Sequence, residues 1–140
     1  MTVPDVAVIQ GGCFCGVVRY RILGALMPAR ACHCSRCRKA FNGASSVYAP
    51  LREGSTLLWV QGEDKLTEHI GEHGWGLAFC SVCGSTLSGI LDGKPHGVTL
   101  GCVDGDPAVE IEMHLFVGSK AAWDCIGGGA PQYDNAPPAS

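Results

Sequence analysis

The stretch Phe79-Cys80-Ser81-Val82-Cys83-Gly84 decides the fold. Two cysteines two residues apart on a turn aim both sulfurs at one tetrahedral ion, each at ~2.3 Å. Glycine after the second cysteine frees the backbone to turn its amide N–H groups toward the sulfurs. A knuckle of this kind supplies half of a four-ligand site, so a partner pair is needed elsewhere. Cys13-Phe14-Cys15-Gly16 offers one, again with glycine directly after the second cysteine. Closing one site from Cys13, Cys15, Cys80 and Cys83 joins turns far apart in the chain.

Working outward, a third cluster reads Cys32-His33-Cys34-Ser35-Arg36-Cys37. Its three cysteines come from one short segment and nothing obvious completes the set. A structural zinc site takes four protein ligands, whereas a catalytic one keeps three and leaves a position open. Three thiolates with a vacancy form a place where a substrate can reach a metal. Two other readings stand beside this one. The pairs could form disulfides, although a Cys-x-Cys bridge is geometrically poor, or the cysteines could be inert buried thiols. His33 lies between two cysteines, so in extended chain its side chain points to the opposite side and reads as a bystander. Cys102 and Cys125 stand alone and read as small buried hydrophobes.

Nine of the 140 residues are cysteine, below the ~8–10% of a disulfide scaffold but well above ordinary usage. A chain of this length forms one domain without covalent staples. We expect a single zinc-binding domain over residues 1–140, with a core from about 6 to 133 and a polar, proline-rich flexible tail over 134–140. Ten basic against thirteen acidic residues give a net charge of −3, which argues against a nucleic-acid surface. The first residues show no secretory signal pattern. The longest uncharged run, Gly74 to Leu91, is broken by glycines and hydroxyl residues and does not read as a membrane span. The expected compartment is the reducing cytoplasm, where cysteine clusters bind metal or react more often than they pair.

The chain otherwise reads as mainly β. Val18, Tyr20 and Ile22 alternate with Arg19 and Arg21, and Ile111, Met113 and Leu115 alternate with polar neighbours, the period of a half-buried strand. Further short strands are expected at Val6–Gln10, Ser46–Ala49, Thr56–Gln61, Leu66–Ile70, Gly76–Phe79, Thr86–Ile90 and Val98–Leu100. Turns are expected between them, one at Asp92-Gly93-Lys94-Pro95. Only Ser35 to Phe41, stopped by Asn42-Gly43, reads as a helix. It sits beside the cluster of Cys32, Cys34 and Cys37.

Together these segments resemble the glutathione-dependent formaldehyde-activating enzyme family, which also includes the centromere protein V proteins. The resemblance runs through Gly11 to Tyr20, then Cys32 to Lys39, then Phe79 to Gly84, with His114 to Lys120 and Trp123 similar to the family's closing segment. It implies a β-tent fold of zinc-ribbon-like antiparallel sheets. It also implies two zincs per chain, a closed one at Cys13, Cys15, Cys80 and Cys83 and a catalytic, labile one at Cys32, Cys34 and Cys37. The implied activity is that of a carbon–sulfur lyase, joining glutathione to formaldehyde.

The expected partners are therefore a small-molecule thiol and a small carbonyl, with no nucleic acid or membrane, and the chain acts as a monomer or homodimer. Arg36 and Arg38 could offset the negative site or hold a substrate carboxylate, and equally could be solvated helix charges. Asn42 and Gly43 border the site. His114 could shuttle a proton or simply face solvent. The alternative to an enzyme is a non-catalytic, zinc-stabilised binding module.

Overall fold

The computed structural model describes residues 8–138. Ten strands and one short helix follow one another as β1 (Val8–Gly12), β2 (Arg19–Leu23), β3 (Ala29–Cys32), α1 (Ser35–Phe41), β4 (Ser46–Pro50), β5 (Thr56–Gln61), β6 (Leu66–Ile70), β7 (Trp75–Cys80), β8 (Thr86–Leu91), β9 (Lys94–Thr99) and β10 (Ile111–Leu115). The mainly β expectation is met. The strands form a three-stranded sheet ordered β1-β2-β5 and a seven-stranded sheet ordered β10-β3-β4-β9-β8-β7-β6. All pairings are antiparallel except β10 with β3, which is parallel. Among the described residues no helix is long and apolar enough to cross a membrane.

Alternation explains the core. Val18, Tyr20 and Ile22 are essentially inaccessible and meet Leu57 of β5 and Ala29, Ala49, Leu87 and Val98 of the larger sheet. Each fully buried aliphatic of this kind contributes roughly 1.5–3 kcal/mol relative to the exposed side chain. The Tyr20 and Trp59 rings pack edge to face, with centroids 5.9 Å apart. The Tyr20 hydroxyl, in contrast, is buried without a hydrogen-bond partner.

Two expectations are corrected. The first is β3, which Ala29-Arg30-Ala31-Cys32 does not announce because alanine has little strand preference. It forms because it is a central strand, and its small Ala29 and Ala31 are buried between neighbours on both sides.

The second is β9, which begins at Lys94 rather than Val98. The β8–β9 turn contracts to Asp92-Gly93, both with positive φ, at 51° and 79°, as a two-residue hairpin requires. Pro95 is accommodated where the register shifts between Gly89 and Ile90, a position at which proline's missing N–H is tolerated.

Among the described residues β1 runs from Val8 to Gly12, and the expected residues Val6 and Ala7 lie outside them. The stretch expected as a tail over 134–140 is described as far as residue 138. Asp134 and Asn135 are held, with Phe116 N–H donating to the Asn135 carbonyl at 3.0 Å and Gly118 N–H to Asp134 at 3.3 Å. Just before them, Tyr133 N–H donates to the His114 carbonyl at 2.9 Å. This strap covers the free edge of β10, which would otherwise leave unpaired backbone groups. Residues 139–140 lie outside the described ones.

Candidate metal centres

The turn between β1 and β2 and the turn between β7 and β8 are built alike. Gly16 N–H donates to the Cys13 carbonyl at 3.1 Å and Gly84 N–H to the Cys80 carbonyl at 2.8 Å. Both glycines have φ of +82°, a conformation that costs glycine little and other residues more. The first turn aims Val18 N–H at Cys13 Sγ, 3.3 Å away. Ser85 staples the turns together: its Oγ accepts from Phe14 N–H at 2.9 Å and lies 3.3 Å from Cys83 Sγ.

The result brings Cys13, Cys15, Cys80 and Cys83 into one group, all four sulfurs within 4.8 Å of one another. Cys13 and Cys15 are 3.6 Å apart and Cys15 and Cys80 are 3.9 Å apart. A tetrahedral ion with ~2.3 Å metal–sulfur bonds spaces its sulfurs about 3.8 Å apart, so the donor set fits. Without a cation the group holds its protons unequally. The Ser85 hydroxyl and backbone draw the Cys83 thiol down to about 5. Cys15 receives the Val17 N–H, yet desolvation and the crowd of Cys13, Cys83 and Cys80 push it up to about 11. Four sulfurs at this spacing cannot all ionise without a positive charge among them.

Cys32, Cys34 and Cys37 also converge, with their sulfurs mutually within 4.8 Å and each residue half-buried. Cys32 closes β3. Cys34 is the N-cap of α1, in extended conformation, and its sulfur accepts from Cys37 N–H at 3.3 Å. Asn42 stops the helix in the left-handed region, as its sequence suggested. The hydrogen bond with Cys37 lowers Cys32, and Cys32, together with burial, raises Cys37 in turn. Among the described residues no further His, Cys, Asp or Glu joins these three. Both clusters could hold metal ions.

Around the second cluster the residues sort unevenly. Arg36 is exposed. Arg38 donates to the carbonyls of His33 and Ser119, each at 3.4 Å. His33 does not join the three sulfurs and is 2% exposed. Its Nε2 lies 3.0 Å from Nδ1 of His114. Burial lowers the His33 pKa, and His114 adds to this, against the pull of the Asp124 carboxylate and the Ala44 carbonyl. The solvent-facing reading of His114 is thereby corrected: the residue is 8% exposed, because the strap covers that side of β10. Asp124 was missed by sequence reasoning, which had only its place near the resembling Trp123 to mark it.

Cys102 is half-buried, lies 3.5 Å from the Thr86 carbonyl and is pushed up by burial. Cys125 is exposed rather than buried, since the glycines that follow it provide nothing to cover it. A cavity of about 380 Å³ opens between Asn42 and Ser45 on one side and Ser85, Thr86 and Cys102 on the other. A larger one of about 820 Å³ lies by Pro28, Arg52 and Glu110. The three sulfurs of the second cluster line neither.

The profile of the glutathione-dependent formaldehyde-activating enzyme family matches residues 8–119, and the chain belongs to that family. A crystal structure of a Rhodobacter sphaeroides protein is similar at 27% identity, covering 73% of this chain and 98% of that one, with a TM-score of 0.49. No curated protein matches the chain.

Proposed function

We propose that the chain is a zinc-dependent enzyme of the carbon–sulfur lyase type, which adds a thiol such as glutathione to formaldehyde or a related small carbonyl. In this reading residues 1–140 act as one cytoplasmic domain with two zincs. Cys13, Cys15, Cys80 and Cys83 hold a structural ion, and Cys32, Cys34 and Cys37 hold the ion of the reaction. The observation that carries the reading is the contrast between a closed set of four sulfurs and an open set of three.

Zinc held by three thiolates would keep an incoming thiol ionised at neutral pH. The chain's own residues do the rest by placement. Cys34 caps α1 with its sulfur and so presents Cys37 from the first helical turn. Arg36, exposed beside them, is the cation free to meet a carboxylate on the thiol substrate. Arg38 is occupied with the backbone of His33 and Ser119. The net change forms one carbon–sulfur bond, turns the carbonyl into a hydroxyl and moves the thiol proton to oxygen.

NMR exchange between formaldehyde and its glutathione adduct, with and without protein, tests the reading alongside zinc analysis. We expect accelerated exchange and two zincs per chain, one readily lost to chelator. Two zincs with no acceleration for any small thiol and carbonyl pair would favour the binding module instead.

A further inference from the structure

We propose that Asp124, acting through His33, is a positioning residue for the three-cysteine cluster, an inference that rests on reading that cluster as a metal site. Cys32 ends a strand and Cys34 is extended, so the side chain between them lies on the side opposite both sulfurs. Whatever fixes His33 therefore fixes the direction in which Cys32 and Cys34 point. The imidazole is held at one end by His114, Nε2 to Nδ1 at 3.0 Å. At the other end Nδ1 is buried and without a hydrogen-bond partner. The carboxylate oxygen of Asp124 stands 3.8 Å from it, and closing that gap gives His33 a second fixed point.

The rest of the closing segment is arranged to keep Asp124 there. Asp124 N–H donates to the Ala121 carbonyl at 3.1 Å. The Lys120 ammonium donates to the carbonyl of Asp124 at 2.9 Å and to that of Ala121 at 3.4 Å. Two further links run between the same segments: His33 N–H donates to the Leu115 carbonyl at 2.9 Å, and Arg38 bridges His33 and Ser119. The carboxylate thus faces the buried imidazole that the backbone carries between Cys32 and Cys34, and acts on the two sulfurs from behind, one step further out than a partner of a ligand. Loss of a ligand's partner typically weakens metal binding 10–100-fold.

Chelator competition on the zinc-loaded full chain tests this for the wild type, Asp124→Ala and Asp124→Asn. The wild type should release its two zincs in well-separated steps. Asp124→Ala should weaken the more labile zinc by about 10-fold or more and leave the tighter one unchanged, which also shows that the variant is folded. Asp124→Asn keeps an acceptor oxygen and should restore most of the affinity. Cobalt placed in the labile site should show absorption bands that shift in Asp124→Ala and return in Asp124→Asn. Equal affinity in the wild type and Asp124→Ala, or parallel loss of both zincs in Asp124→Ala, overturns the proposal while leaving the metal reading intact. A wild type with only one zinc overturns both.

Discussion

The sulfurs of Cys15 and Cys80 lie 3.9 Å apart across 65 positions of sequence. Cys15 belongs to the turn of the three-stranded sheet and Cys80 to a strand of the seven-stranded one, so an ion between them would cross-link the two layers. Structural zinc sites contribute ~10–16 kcal/mol of apparent binding energy in model peptides, against a typical domain stability of ~5–15 kcal/mol. Cys80→Ser should therefore abolish cooperative folding at 25 °C. Circular dichroism melts of the zinc-saturated protein check this, and a variant melting within a few degrees of the wild type would refute it.

Cys34 has two roles that substitution can separate. Cys34→Ser keeps an N-cap oxygen for Cys37 N–H while removing a soft ligand, so a folded protein lacking the labile zinc is expected. Cys34→Ala loses the cap as well and should be less stable than Cys34→Ser by about 1 kcal/mol. Metal analysis and urea unfolding of the two variants measure the two effects independently.

His96 is expected to make stability fall in acid. Burial holds its pKa below the ordinary 6.5, and its Nδ1 lies 3.0 Å from the Tyr48 hydroxyl. The unfolded chain takes up the proton at 6.5 and the folded chain only at lower pH, so the unfolded state binds more protons in between. The contribution is complete above pH 6.5 and is lost as the pH drops through the folded value. His96→Gln should show a smaller fall in urea midpoint between pH 7.5 and pH 5 than the wild type. Zinc loss affects both proteins, so their difference isolates the histidine.

Tyr20→Phe should be neutral or stabilising. The hydroxyl is buried and unpaired, and an unsatisfied polar group of this kind costs about 1–3 kcal/mol. The phenyl ring keeps the packing against Trp59. A melting temperature equal to the wild type or a few degrees higher is expected, and a large drop would show that the hydroxyl has a partner.

What could be read from sequence was whatever short-range spacing determines. The cysteine motifs, the alternation of Val18, Tyr20 and Ile22, and the helix from Ser35 to Asn42 each rest on neighbours within a few residues. β3 could not be read this way, because its alanines become a strand only between β4 and β10. The link from Cys34 through His33 to His114 and Asp124 was equally hidden. Alternation placed His33 opposite the cysteines, but nothing local says that a histidine 81 positions later lies 3.0 Å away.

The parallel pairing of β3 with β10 also sets an order of events during synthesis. The four-sulfur group is complete as soon as Cys83 has left the ribosome. The three-cysteine loop emerges far earlier, yet its flanking strand and the Asp124 turn follow only after Cys83 in the chain. A nascent chain thus gains the means to cross-link its layers before the backing of its second cluster exists, so the three-cysteine loop is set in place after the four-sulfur group.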